Sequence, residues 1–455
     1  MKTVAAALPP RAWLAVSAAL LGVMLWASDG HLGPGGVPFL VLTWAAMLAA
    51  FTSRAPDDPK AVERVLGIAV LVQFVLLLAR PPGQYLLEDL EDHLFLAPLF
   101  PLAVGTMAVL STLLIAGRQP LGQRTFPAIV CLFGMASVWL LVAAPHPWID
   151  VMDFAREAAT ALAQGRNPYD LHFPNIYGNT DLYGPGFATD QTVDVGLVYP
   201  PLSLLLTAPA VYLVHDARAS LAVAFVVAAL LIDRLGGRSA RLAALLFISG
   251  PRRYFVLEQG WTEPLLVAFA ALTMFLAQRR SRWLPVGFAA FLGLKQYTVL
   301  FLPLTPLLVG EVRPRRSVGL VVRALLLVAV VTAPFLLRDP SAFIRSTVLF
   351  HLAQPFRPDS LNFSALWAWA RGGPPPPTTV PTIVLIGLAT VWALRRCRPT
   401  PAGFAAGGAL VVLALLAWSK QAFCNYYDLV IGLLACAVAA SESPAGATSP
   451  DRTVA

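Results

Sequence analysis

Asp150 and Asp153 stand at the head of a polar stretch that interrupts an otherwise apolar chain. It runs Trp148-Ile149-Asp150-Val151-Met152-Asp153, then Gly165-Arg166-Asn167-Pro168-Tyr169-Asp170, and closes with Tyr199-Pro200-Pro201-Leu202. A positioned carboxylate can take a proton from a reacting hydroxyl, which is general-base chemistry. A helix cap or dipole partner needs the same residue type, so both roles stay open for each aspartate. Tyr199-Pro200-Pro201 returns the chain to the same rim, where it would close a pocket over the pair.

Four further polar motifs sit at the rims of apolar runs: Glu258-Gln259-Gly260-Trp261-Thr262-Glu263-Pro264, Lys295-Gln296-Tyr297, Gln354-Pro355-Phe356-Arg357-Pro358-Asp359-Ser360-Leu361-Asn362, and Ser419-Lys420-Gln421-Ala422-Phe423-Cys424-Asn425-Tyr426-Tyr427. Ionisable groups in such places are costly unless paired or solvated, so their joint pattern predicts one water-accessible cavity. Taken singly, each motif reads equally well as an interfacial anchor, and each aromatic as part of an interfacial belt.

The elements that must position them are membrane helices. The 455 residues are 57% hydrophobic and only 13% charged, with a mean hydropathy of +0.69. The composition predicts an all-α polytopic membrane protein of roughly 12–14 spans. Apolar runs occur at 13–27, 37–51, 65–79, 93–116, 128–144, 221–232, 242–257, 265–277, 284–310, 318–337, 380–394, 404–418 and 427–440, with 284–310 read as a hairpin of two short helices. The first run, with no small-residue cleavage site after it, reads as a retained helix.

Phe154, Ala158 and Leu162 recur every fourth residue and predict an amphipathic helix over 154–164. It would lie on the membrane with Arg156 and Glu157 outward and end at Gly165. Domain organisation follows: N-terminal spans over 1–144, a large extracytoplasmic loop with a re-entrant segment over 145–218, central spans over 219–337, a second outer loop over 338–379, C-terminal spans over 380–440, and a disordered cytoplasmic tail over 441–455. Pro374–Pro377 reads as a stiff spacer.

The formal charge of +8 resides in short clusters between apolar runs, which suits membrane orientation and not a nucleic-acid partner. With Lys2 and Arg11 inside, alternate loops carry Arg54/Lys60/Arg64, Arg118/Arg124, Arg234/Arg238/Arg241, Arg279/Arg280/Arg282, Arg313/Arg315/Arg316 and Arg395/Arg396/Arg398, so all six fall on one face. The polar motifs fall on the other, provided 200–215 is a partial or re-entrant segment. Cys131, Cys397, Cys424 and Cys436 have neither metal-ligand spacing nor a disulfide pattern.

An aspartate heading the large outer loop, an amphipathic helix ending in Gly-x-Asn-Pro-Tyr, the Tyr-Pro-Pro-Leu return and the later Lys-Gln-Tyr resemble the polytopic GT-C glycosyltransferases. Within them, the likeness is to the bacterial polyprenyl-phosphate-mannose-dependent mannosyltransferases of glycosyltransferase family 87, over about 148–427. The chain departs from that pattern in the spans preceding the loop and in its longer Glu-Gln-Gly-Trp-Thr-Glu-Pro segment.

The resemblance implies a GT-C-like helix bundle in the bacterial plasma (inner) membrane, multi-pass, with its active site facing outside. It implies transfer of mannose or another hexose or pentose from a polyprenyl-phosphate sugar to a lipid or glycan acceptor. Asp150, with Asp153 second, would be the base. Arg252, Arg253, Lys295, Arg357 and Lys420 would hold the leaving phosphate. Asn167, Tyr169, Tyr199, Glu258, Gln259, Trp261, Glu263, Gln296, Tyr297, Asp359, Asn362, Gln421, Asn425, Tyr426 and Tyr427 would hold sugar and acceptor. No certain cofactor is implied beyond the lipid-linked donor; a divalent cation beside Asp150 is compatible, but no cage of oxygen ligands accompanies it. The competing readings are a lipid-linked saccharide transporter or flippase, whose site belongs near the bilayer midplane between related halves, and an oligosaccharide ligase.

Overall fold

The computed structural model describes residues 8–92, 94–310 and 314–440; Lys2, His93, Arg313 and the tail 441–455 lie outside them. Helices dominate because apolar runs alternate with Pro, Gly and charged turns. α1 (Pro10–Ser28), α2 (Val37–Thr52), α3 (Pro59–Leu78), α4 (Leu99–Ile115) and α5 (Thr125–Ala143) precede the polar stretch, which holds α6 (Asp150–Ala163) and ends in α7 (Pro201–Val214). The central block is α8 (Arg218–Asp233), α9 (Arg238–Ile248), α10 (Arg253–Glu258), α11 (Glu263–Gln278), α12 (Leu284–Leu292), a 3₁₀ helix (Gln296–Leu304), α13 (Thr305–Leu308) and α14 (Pro314–Arg338). α15 (Pro340–Ile344), α16 (Phe350–Ala353) and α17 (Phe363–Arg371) follow, then α18 (Thr379–Arg396), α19 (Pro401–Trp418) and α20 (Cys424–Ala439). One antiparallel ladder, β1 (Phe173–Pro174) with β2 (Thr192–Val193), staples the polar stretch, pairing Phe173 with Val193.

The chain is an all-α polytopic membrane protein: among the described residues six helices, α1, α3, α5, α14, α18 and α19, are long and apolar enough to cross a membrane, and five shorter apolar helices accompany them. α7 and α8 form a pair bent by 119° at their junction, which is where the orientation scheme needs a partial or re-entrant segment. One expected span, 242–257, is interrupted, and the run 284–310, read as a hairpin of two short helices, divides in two. Gly250-Pro251 divides 242–257 into α9 and α10, since proline cannot continue the ladder. The run 284–310 breaks after α12 and continues as the Gln296–Leu304 3₁₀ helix, which contains Pro303.

α20 is the buried centre, packed on α1, α9, α11 and α19. α19 approaches its neighbours through small residues: a Cβ at Gly408 would run into the Phe301 ring, the close packing that membrane helices obtain from glycine. α14 and α18 are peripheral and present Val330 and Val380 outward.

Two sequence expectations change. The amphipathic helix begins at Asp150, not Phe154, because acidic residues in a first turn favour a helix N-terminus. Its apolar stripe also faces protein, not lipid: Phe154 stacks on Phe173 at 4.6 Å, while Ala158 and Leu162 pack with residues of α7. The second connection is largely helical as well, with one π turn (Arg345–Leu349) joining α15 to α16.

The two ends of the bundle differ chemically. At one, basic turns tie helix ends together: Arg11 Nη1 meets Asp57 at 3.0 Å and its Nη2 donates to Val438 O at 2.6 Å. There too, Arg238 meets Glu63 at 3.1 Å and donates to Ile115 O at 2.7 Å. The opposite ends of α1, α11, α19 and α20 converge on the polar motifs.

Candidate functional site

Asp150 sits half-buried in the first turn of α6, where the helix dipole favours a negative charge. Burial works against that charge and pushes its carboxyl up to about 6, while a hydrogen bond from Tyr183 pulls it partly back. Tyr183 Oη donates to Asp150 Oδ2 at 3.1 Å. Tyr177 Oη accepts from the Asp150 backbone N at 3.3 Å, and its ring lies edge-on to Trp148 at 5.1 Å. Both tyrosines come from the turn-rich run between β1 and β2. Asp153, one helical turn on, accepts from Arg156 at 2.7 Å and does not line the cavity that Asp150 faces.

That cavity has a volume of about 850 Å³. Across it, Lys295 Nζ donates to Glu263 Oε1 at 2.6 Å and lies 5.1, 5.7 and 5.9 Å from the ring centres of Tyr199, Tyr426 and Tyr297. Fully buried Glu263 also accepts from Asn425 at 2.9 Å and from Tyr297 Oη at 3.2 Å. One carboxylate thus fixes an ammonium, an amide and a phenol. Gln296 Nε2 donates to Val198 O and Thr347 O, both at 2.9 Å. His351 Nε2 lies 2.9 Å from the same Val198 carbonyl, so that nitrogen carries the hydrogen. Burial, the larger influence, depresses the His351 pKa and keeps the ring neutral.

Two more cations reach the cavity wall. Arg357 forks onto Asp359 at 2.9 and 2.8 Å and stacks on Phe423. Burial opposes the Asp359 charge, but hydrogen bonds from His31 and Arg357 outweigh it and hold the carboxyl well below the usual range. Lys420 Nζ donates to Leu352 O and Gln354 O at 2.9 and 3.0 Å. An apolar flank completes the wall: Thr382, Ile383 and Ile386 from α18, Leu415 and Leu416 from α19.

No family model, no curated protein and no solved structure matches this chain. Its function has to be read from the cavity itself.

The cavity gathers Asp150, Tyr199, Gln259, Trp261, Lys295, Gln296, Tyr297, Arg357, Lys420, Gln421, Asn425 and Tyr426. The other sequence candidates lie off its wall. Arg252 and Arg253 are buried and already paired: Arg252 meets Asp29 at 2.5 Å, and Arg253 binds Asp428 and the Phe247 carbonyl. They hold helices together, and neither lines the cavity. Glu258 clamps the α3–α4 connection through the backbone N–H groups of Gln84 and Tyr85. Asn167 accepts from Tyr169 N in a turn, and Tyr169 Oη donates to Tyr199 O at 3.0 Å, fixing the return segment. Asn362 caps α17, and Tyr427 Oη donates to Leu361 O.

Sequence reasoning missed Asp29, His31, Gln84, Tyr85, Tyr177, Tyr183 and His351, all on the wall. A signal existed for two: Tyr177 and Tyr183 stand among Gly178, Asn179, Gly184 and Gly186 in a turn-rich stretch that cannot be a span. Among the described residues no three His, Cys, Asp or Glu side chains converge as a metal-binding group.

Proposed function

We propose that the chain is a membrane glycosyltransferase of the GT-C type that moves a sugar from a polyprenyl-phosphate donor onto a hydroxyl-bearing lipid or glycan acceptor. The observation that carries this reading is the cavity's composition: a half-buried carboxylate pushed up to about 6, cations at its wall, and an apolar flank on α18 and α19. A donor with a greasy tail, an anionic phosphate and a sugar needs all three surfaces.

In this reading the acceptor hydroxyl attacks the anomeric carbon, the carbon–oxygen bond to phosphate breaks, and Asp150 takes the hydroxyl proton. The electron pair leaves on polyprenyl phosphate, whose charge Lys295, with Arg357 and Lys420, would stabilise. The basic turns at the opposite helix ends favour a cavity that opens outside the bacterial plasma membrane, since cytoplasmic loops are rich in Lys and Arg. A reporter fused after Arg282 would then read as cytoplasmic.

The test gives purified protein labelled polyprenyl-phosphate hexoses and follows transfer. Asp150→Asn is expected to lose about 10²–10⁴-fold in rate, as removal of a positioned base does, while Asp153→Asn keeps most of its activity. Full activity in Asp150→Asn removes the base; translocation of the donor without bond cleavage favours a transporter.

A further inference from the structure

The connection between α3 and α4 has no regular secondary structure around Pro81-Pro82-Gly83-Gln84-Tyr85, yet other elements hold it at several points between residues 80 and 87. Arg80 reaches Asp29 at 2.5 Å and Trp26 O at 2.6 Å. Arg252 donates to Pro81 O at 3.1 Å. The fully buried Glu258 carboxylate accepts from Gln84 N at 2.7 Å and Tyr85 N at 2.8 Å, and Leu87 N donates to Ala143 O at 2.8 Å. Gly83 lies so close to Glu258 that a Cβ there would run into the carboxylate. Backbone groups that would otherwise wander are therefore fixed by partners from α1, α5 and α10.

The side chains are the opposite. Gln84 and Tyr85 both line the cavity, and among the described residues no protein group hydrogen-bonds the Gln84 carboxamide or the Tyr85 hydroxyl. Tyr85 lines the same cavity as Asp150 and its partner Tyr177. A rigid backbone offering free polar tips is the arrangement a recognition surface needs, because little ordering entropy is lost on binding.

We propose that Gln84 and Tyr85 form the acceptor-recognition wall, that Glu258 is its positioning residue, and that the acceptor they take is a carbohydrate ring. This rests on the glycosyl-transfer reading. A carboxamide offers a donor and an acceptor side by side, which match two neighbouring ring hydroxyls. A tyrosine ring covers the apolar face of a pyranose while its hydroxyl meets a third. The one cation of the segment, Arg80, is occupied by Asp29 and Trp26 O, so the wall suits a neutral group and not a phosphate.

The experiment uses the full chain in lipid nanodiscs, with polyprenyl-phosphate hexoses as donors and octyl glucoside, octyl galactoside and octyl mannoside as acceptor probes; an octyl ether of glycerol is the acyclic control. Gln84→Ala and Tyr85→Leu leave the backbone anchors in place. Each is expected to raise the glycoside KM by about 3–10-fold, the loss of a hydrogen bond or two, with kcat at saturation changed little, the signature of lost uniform binding. Glu258→Gln should give the same split. Equilibrium binding of the same glycosides without donor should weaken in parallel. Unchanged KM and binding in the variants overturn the wall, and acceptance of the glycerol ether in preference to every glycoside overturns the carbohydrate assignment. Wild-type protein that binds no glycoside overturns both parts of the inference. Glycoside binding that is lost in the variants, in a protein that cleaves no donor, leaves the wall standing and sinks the transfer reading alone.

Discussion

Arg253 and Lys295 are both cations at the broken ends of short helices, and each is joined to one buried carboxylate. Arg253 meets Asp428 deep in the bundle, with its guanidinium 3.9 Å from the Phe247 ring centre and its Nε on the Phe247 carbonyl. Lys295 meets Glu263 at the cavity wall, among three tyrosines. The difference lies in what remains available. The arginine is enclosed by protein on every side, whereas the lysine ammonium is shared between its carboxylate and a space of about 850 Å³. A buried pair of the first kind holds α10 against α20; a pair of the second kind can exchange part of its interaction for a ligand's.

Removing each cation separates the two cases. Arg253→Met leaves Asp428 buried without its partner, which costs about 3–5 kcal/mol when one member of a buried pair is lost. Thermal unfolding in detergent should show that loss, and Arg253→Met combined with Asp428→Leu should recover much of it. An unaltered melting temperature in the single variant would place Arg253 among the functional cations after all. Lys295→Met should act the other way. Glu263 keeps Asn425 and Tyr297, so stability should fall less, while transfer should fall by about 10–100-fold, the worth of a charge-assisted contact of 1.5–3 kcal/mol. Activity that tracks the melting temperature alone would make both pairs structural.

This contrast also marks what was legible before folding. Local chemistry was legible: the periodicity of Phe154, Ala158 and Leu162 gives a helix, Tyr199-Pro200-Pro201 returns the chain to the cavity, and the basic turns gather away from it. Lys295, Gln296 and Tyr297 do line the same cavity as Asp150. Partnership across the chain was not legible. Arg253 and Asp428 are separated by 175 positions, and Gln84 from Glu258 by 174. No periodicity or turn rule reports on such pairs, because tertiary packing alone decides them. The resemblance implies a phosphate-holding role for Arg252 and Arg253, but the apolar run around them is also where a buried counter-ion is obligatory.

The smallest expected effect sharpens the comparison within one site, between Asp150 and its neighbours. Asp150 works as a base only when ionised, so transfer should rise with pH through about 6 and level off above it. The Tyr183 hydrogen bond favours the ionised form, and Tyr183→Phe should therefore move that rise to higher pH with little change in the plateau. The stability consequence has the opposite sense. A carboxyl raised from 3.8 to about 6 by burial carries no penalty below its unfolded value and its full penalty above its folded one, so its cost appears as pH climbs through that window. Asp150→Asn should accordingly melt higher than wild type at pH 8 and equally at pH 3. A rate profile flat across pH 5 to 7 in wild type, or one that Tyr183→Phe shifts downward, would separate the Asp150 carboxyl from the proton transfer assigned to it.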